Sequence, residues 1–292
     1  RSPEILLDPM YGVSKTCLQT ILLTARCNVD VINDRHDTLF GGKLPSPSAK
    51  TLVRLRELVL ENGYDMGIAT DGDADRIGII DSNGVFIHPN DILVMLYYYL
   101  VKYKGWKGPV VRNVATTHLL DKIANSFGEK CYEVPVGFKW ISSKMEQTDA
   151  VVGGESSGGL TVRGHIKGKD GVYAAALLVE MMCVIGTSLS DILVQIKEEF
   201  GPHEMAELSV EFEQSRKGEI YRILMVDKKL PDFGMEIEKV TYNDGCKVYF
   251  KNGGFIISRF SGTEPLLRIF CELDSMKRAN KTIKIMSDFL NL

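Results

Sequence analysis

Residues 46–88 read SPSAKTLVRLRELVLENGYDMGIATDGDADRIGIIDSNGVFIH, and the punctuation of this stretch decides the fold. Ser46 is a capping residue type, Pro47 suits a first helical turn, and Leu52, Leu55, Leu58 and Val59 fall on one helical face before Gly63 supplies a stop. The spacing predicts a helix over 46–63. "DMGIA" then enters as a strand, and "IGIID-SNG-VFIH" leaves as a hairpin with Asn83-Gly84 at its turn. Upstream, "EILLD" (4–8) reads as a strand, 14–26 as an apolar-periodic helix and "NVDVIN" (28–33) as a second strand. Strands alternating with helices imply a mainly parallel sheet covered on both faces.

The alternation restarts after His88, with helices expected at 91–103, 118–126, 139–147 and 171–184 and strands at 109–114, 130–134 and 150–154. Past Gly201-Pro202 the strand-like runs "ELSVEFE", "CKVYFK", "GFIISRF" and "LLRIFCEL" lie between two helical stretches. The expected fold class is α/β: two tandem α/β/α layer domains with mainly parallel sheets (1–87 and 88–202), followed by a small antiparallel α+β domain (203–292).

A chain of 292 residues is too long for one ordinary core, and its 45% hydrophobic and 25% charged residues suit a soluble globular protein. Net charge is -3 with no block of like charge, which argues against nucleic-acid or anionic-membrane partners. The apolar run "ILVMLYYYLV" (92–101) is too short to span a bilayer. Six cysteines without a CxxC pair or disulfide-scaffold density fit a reducing, cytoplasmic setting. The chain opens on Arg1 and Ser2 rather than methionine, as a piece of a larger protein does.

Four stretches carry chemistry. "TDGDADR" (70–76) sets Asp71, Asp73 and Asp75 on alternate positions, where a tight loop after a strand can turn them to one point. A hard divalent cation cancels their mutual repulsion. An EF-hand would need Gly and Glu where Arg76 and Ser82 stand, and a haloacid-type phosphatase would need D-x-D-x-T. Arg76 is then a second anion handle, or else a salt-bridge partner of its neighbours. "VGGESSGGL" (152–160) offers Glu155 and Ser157 to sugar hydroxyls on a glycine-rich loop. In "SRFSGTEPLLRIF" (258–270), Arg259, Ser261, Gly262 and Thr263 combine a guanidinium, two hydroxyls and exposed amides into an anion cradle. "VPVGFKWI" (134–141) brings Lys139 to a helix start, as a phosphate contact or a general acid/base. His165 sits near the glycine-rich loop, and no Walker A motif occurs.

Taken together these segments resemble the α-D-phosphohexomutase superfamily, the phosphoglucomutases and phosphomannomutases. "DGDADR" is similar to its metal loop, "GGESSGG" to its sugar loop and "RFSGTEP" to its phosphate loop, with "LFGGKLPSP" and "VGFKWI" matching further stretches in the same order. The resemblance implies a phosphotransferase isomerase that interconverts hexose 1- and 6-phosphates through a phosphoserine and a bisphosphorylated intermediate. It implies Mg²⁺ on Asp71, Asp73 and Asp75, a hexose phosphate held by Glu155, Ser157, Arg259, Ser261, Gly262 and Thr263, and Arg76 and Lys139 in catalysis. The family's first domain carries the phosphoserine in a motif like T-A-S-H-N-P, which these residues lack. The chain is expected to be inactive without that domain, its missing partner. Gly159, Phe138 and Ala115 depart from the histidine, histidine and lysine of some members. The rival readings are a non-catalytic sugar-phosphate or metal-binding protein, and a metal-dependent phosphatase.

Overall fold

The computed structural model describes residues 1–261 and 266–292. The first unit runs β1 (Glu4–Asp8), α1 (Lys15–Thr24), β2 (Asn28–Val31), α2 (Val53–Asn62), β3 (Met66–Thr70), β4 (Ile77–Asp81) and β5 (Phe86–Ile87). Its sheet has the order β2-β1-β3-β4-β5. β1 pairs in parallel with β2 and β3, and β3, β4 and β5 close the other edge as an antiparallel meander.

The helix predicted from Ser46 begins later, at Val53. Ser48 and Thr51 satisfy each other instead: Ser48 N donates to Thr51 Oγ1 (2.9 Å), Thr51 N to Ser48 Oγ (3.2 Å) and Thr51 Oγ1 to Ser46 O (2.7 Å). Such local bonds compete with the helical ladder and hold 46–52 as a turn. Gly63 ends the helix as expected, in the left-handed region at φ 72°.

The second unit comprises α3 (Pro89–Lys102), β6 (Val110–Asn113), α4 (Leu119–Ser126), β7 (Cys131–Val134), α5 (Phe138–Thr148), β8 (Val152–Gly154), β9 (Leu160–Val162), α6 (Gly171–Ile185) and α7 (Leu189–Phe200). Its sheet order is β7-β6-β8-β9, parallel but for the last pair. The period-2 alternation of each strand feeds two cores. In the first sheet Leu6, Ala69 and Ile80 face Leu52, just before α2, and Leu55 and Val59 on it. Ile5, Leu7, Met66, Ile68, Ile77 and Ile79 face the other way, into a cluster that continues through Ile92–Val101 of α3 and Ala174–Met181 of α6. One core therefore crosses His88. The run "ILVMLYYYLV" is its buried centre, and among the described residues no single helix is long and apolar enough to cross a membrane.

The third unit holds β10 (Glu204–Glu211), α8 (Lys217–Tyr221), β11 (Ile237–Thr241), β12 (Cys246–Phe250), β13 (Phe255–Phe260), β14 (Leu266–Leu273) and α9 (Met276–Phe289). Its sheet is antiparallel throughout, ordered β10-β14-β13-β12-β11. Val248, Phe250, Ile256 and Ile269 bury one face against Ile283 and Met286 of α9. Phe255 and Ile257 on the other face pack on Val114 and Ala115, just past β6. The fold is the expected α/β pair followed by an antiparallel α+β unit.

Candidate functional site

In the first two sheets the chemically equipped loops leave the carboxyl ends of strands β3, β6, β7 and β8, where open α/β sheets place their ligand groups. After β3 the chain turns through Ala74 at φ 65°, and the carboxylates of Asp71, Asp73 and Asp75 bring ligand oxygens within 4.8 Å of one another. Asp71 is buried and Asp73 exposed. The loop is clamped from both sides. Val13 N donates to Gly72 O (3.1 Å), and a Cβ on Gly12 would lie 2.5 Å from that oxygen, so only glycine fits there. On the far side Gly171 N, at the start of α6, donates to Ala74 O (2.9 Å). Three convergent hard oxygen donors fit a divalent cation.

Arg76 answers these carboxylates. Its backbone N–H donates to Asp71 Oδ1 (2.9 Å), its Nε to Asp71 Oδ2 (2.5 Å), and its Nη1 reaches Ser46 Oγ at 3.4 Å. Asp75 lies 3.7 Å from the same Nε. A second cation, Lys169, forms an ion pair with Asp75 and escaped the sequence reading. Its stem crosses Gly159, where a Cβ would sit 2.2 Å from Lys169 Cδ. The signal available was Asp170, an N-cap residue type: its Oδ1 accepts from Val172 N (2.9 Å) and Tyr173 N (3.0 Å), which plants Lys169 at the mouth of α6. His165 supports that cap, with Nε2 2.6 Å from Asp170 Oδ2 and its ring stacked on Tyr173.

The glycine-rich loop after β8 turns back as β9, a short strand the sequence did not reveal. Glu155 N donates to Gly159 O (2.9 Å), and Gly159 bridges to Arg76, so this loop and the aspartate loop share backbone pairing. Glu155 Oε1 accepts from Gly137 N (3.0 Å) and Asn113 Nδ2 (3.3 Å), while Ser157 is exposed at the tip. Lys139 stands in the first turn of α5 over the Trp140 ring (5.0 Å to the centroid), exposed, and among the described residues has no carboxylate partner. In the third unit Arg259 Nε donates to Asp244 Oδ1 (2.8 Å), and Asp244 Oδ2 accepts from Val136 N (2.7 Å). Ser261 is buried and its N–H donates to Leu266 O (2.8 Å); Gly262 and Thr263 lie outside the described residues.

A second charged cluster joins the second and third units. Arg112 forks onto Asp121 (2.8 and 3.1 Å) and reaches Glu133 (2.6 Å). Lys247 donates to Glu133 (2.6 Å) and Val114 O (2.7 Å), and Tyr249 to Glu133 (2.5 Å). Burial pushes the Glu133 carboxyl up, but the Lys247 and Arg112 cations outweigh it and hold the group at about 2. Burial, with Arg112 nearby, pushes Lys247 down to about 7 against the pull of Glu133. The cluster borders a cavity of about 540 Å³.

Three family models match in order: phosphoglucomutase/phosphomannomutase alpha/beta/alpha domain II over residues 1–84, domain III over 88–200 and the C-terminal domain over 210–288. A phosphoglucomutase/phosphomannomutase of Thermococcus kodakarensis is 29% identical over 285 residues, covering 98% of this chain and 60% of that protein. A phosphoglucosamine mutase of Prochlorococcus marinus is 28% identical over 291 residues, covering 99% and 61%. A solved structure from Thermus thermophilus, assigned as a phosphomannomutase, superposes with a TM-score of 0.83 at 26% identity, over 100% of this chain and 61% of that one. The chain thus spans about three-fifths of the length of the curated relatives it matches.

Proposed function

The chain belongs to the phosphoglucomutase/phosphomannomutase family, and from that premise we propose that it forms three of the four walls of a hexose-phosphate mutase cleft, in domains 1–87, 88–202 and 203–292. The substrate is a phosphorylated hexose or hexosamine, isomerised between its 1- and 6-phosphates through a bisphosphorylated intermediate. The phosphoryl donor, a phosphoserine in the family's first domain, is carried outside these residues.

Asp71, Asp73 and Asp75 would hold a divalent cation, Mg²⁺ by family, whose oxygen-ligand chemistry their carboxylates fit. A cation held there would supply electrostatic stabilisation to the charge on a transferring phosphoryl group. Arg76, fixed by Asp71, presents its remaining N–H groups to the same anion. Glu155 commits Oε1 to the protein and offers Oε2 to sugar hydroxyls, with Ser157 beside it. Arg259, Ser261, Gly262 and Thr263 hold the phosphate that is not reacting, and Lys139 contacts phosphate or moves a proton at the cleft's edge.

One observation carries this reading: an unbroken path of contacts runs from the three carboxylates to Arg259. It passes through the Arg76–Gly159 bridge, then Glu155 to Gly137, then Val136 to Asp244. Motifs far apart in sequence are thus linked by direct contacts, which supports a shared site. The test is a mutase assay with Mg²⁺, a hexose bisphosphate activator and a panel of glucose, mannose and glucosamine phosphates. The chain alone should show no turnover, and the chain joined to a relative's phosphoserine domain should turn over at least one pair. Turnover by the chain alone, or none by the joined protein on any sugar, would overturn the proposal.

A further inference from the structure

Asp244 lies in the turn between β11 and β12, and its two carboxylate oxygens serve different units. Oδ1 accepts from Arg259 Nε at 2.8 Å, and Oδ2 accepts from Val136 N at 2.7 Å. The turn is seated firmly on β13: Gly245 has φ +94°, and a Cβ there would lie 2.6 Å from Ser258 O and 3.2 Å from Arg259 Cα. The next amide along, Gly137 N, donates to Glu155 Oε1. Two successive amides of one loop therefore serve two carboxylates, one on the glycine-rich loop and one holding the arginine. Val136 itself packs with Val114, Ala115, Phe255 and Ile257, so the loop cannot slide without disturbing the seam between the units.

We propose that Asp244 is a positioning residue that aims Arg259 at an anion and couples occupancy of that anion site to the 135–137 loop, and through it to Glu155. The inference rests on the reading of Arg259 as a phosphate grip. A guanidinium held at Nε presents its two Nη groups in one orientation, suited to a two-point contact with phosphate. Without that hold the long side chain loses more rotamer freedom when an anion binds. Both Arg259 and Asp244 are about one-fifth exposed, at 22% and 20%, so solvent screens their charge-assisted bond only in part. Asp244→Asn removes the charge that assists the hold on Arg259 and turns one of the two acceptor oxygens into a donor, so the continuous bridge from Arg259 through residue 244 to Val136 is broken.

Amide and guanidinium NMR of the whole 292-residue chain, titrated with inorganic phosphate, tests this. Phosphate should shift the Arg259 Nε–H resonance together with the Val136 and Gly137 amides. In Asp244→Asn, phosphate affinity should fall about tenfold, the low end of what losing an orienting partner behind a ligand-holding group costs, and the response at Val136 and Gly137 should vanish. An Arg259 response without one at Val136 and Gly137 overturns the coupling, and this measurement on the unaltered chain needs no variant to fold. A variant that binds phosphate as tightly as the unaltered chain overturns the positioning role. If phosphate moves nothing at Arg259, the phosphate-grip reading itself fails and the coupling with it.

Discussion

Lys169 competes with any metal for Asp75. Its ammonium already lies on the carboxylate that a divalent cation would need. Removing that charge in Lys169→Met should tighten Mg²⁺ or Mn²⁺ binding by roughly 2–5-fold, the range for a partly exposed ion pair. Isothermal titration of both proteins checks this, and equal affinities would remove Lys169 from the site. Gly12→Ala should act in the opposite direction. The new methyl would meet the Gly72 backbone at 2.5 Å, and the strain should cost about 1–3 kcal/mol in urea unfolding while weakening the same metal binding. The contrast shows what was legible residue by residue. Asp71, Asp73, Asp75, Glu155 and Arg259 stood out as candidates through local spacing and glycine neighbours. Lys169 and Asp244 did not, because each acts on a partner far away in sequence that only the folded chain brings close.

The N-terminus of α6 shows how one helix end organises several loops. Asp170 caps it with one oxygen and meets His165 with the other, and the adjoining Gly171 amide holds Ala74. Asp170→Ala should cost about 0.5–2 kcal/mol by denaturant unfolding, the usual range for a lost N-cap, and Asp170→Asn should recover most of it. A loss of similar size in both variants would point to the His165 contact rather than the cap. Element type was well marked in the sequence, because apolar periodicity of 2 or 3.6 is strong over whole strands and helices. Boundaries were less so. Ser46 and Pro47 read as a helix start, yet Ser48 and Thr51 bond to each other and delay it to Val53. β9 was missed because three residues cannot display a period, and α7 because its cap, Ser188, closely follows the long α6.

At the scale of the whole chain, the Glu133 cluster holds the third unit to the second. Glu133→Gln leaves Lys247 and Arg112 buried without their shared carboxylate and should cost about 3–5 kcal/mol at pH 7. The folded carboxyl titrates near 2 and the unfolded one near 4.5. As pH falls from 4.5 toward 2 the unfolded chain takes up the proton first, so native stability drains away over that window. The variant has no such proton to take up, and the gap between the two proteins should close. Urea midpoints at pH 7, 4 and 3 measure it, and a gap that stayed constant would clear Glu133 of the effect. None of this cluster was visible in the sequence, since its members come from separate strands and helices of two units. The expected division after Ile87 rested on a change of pattern, and the core that crosses that point left no such sign in the sequence. That shared core has a consequence for synthesis. Ile68 and Ile79 leave the ribosome before α6, which helps cover their face and starts about 90 residues after β4 ends. At about 5–20 residues per second, part of an apolar sheet face waits roughly 5–20 seconds for this last helix and stays open to other apolar contacts in the meantime.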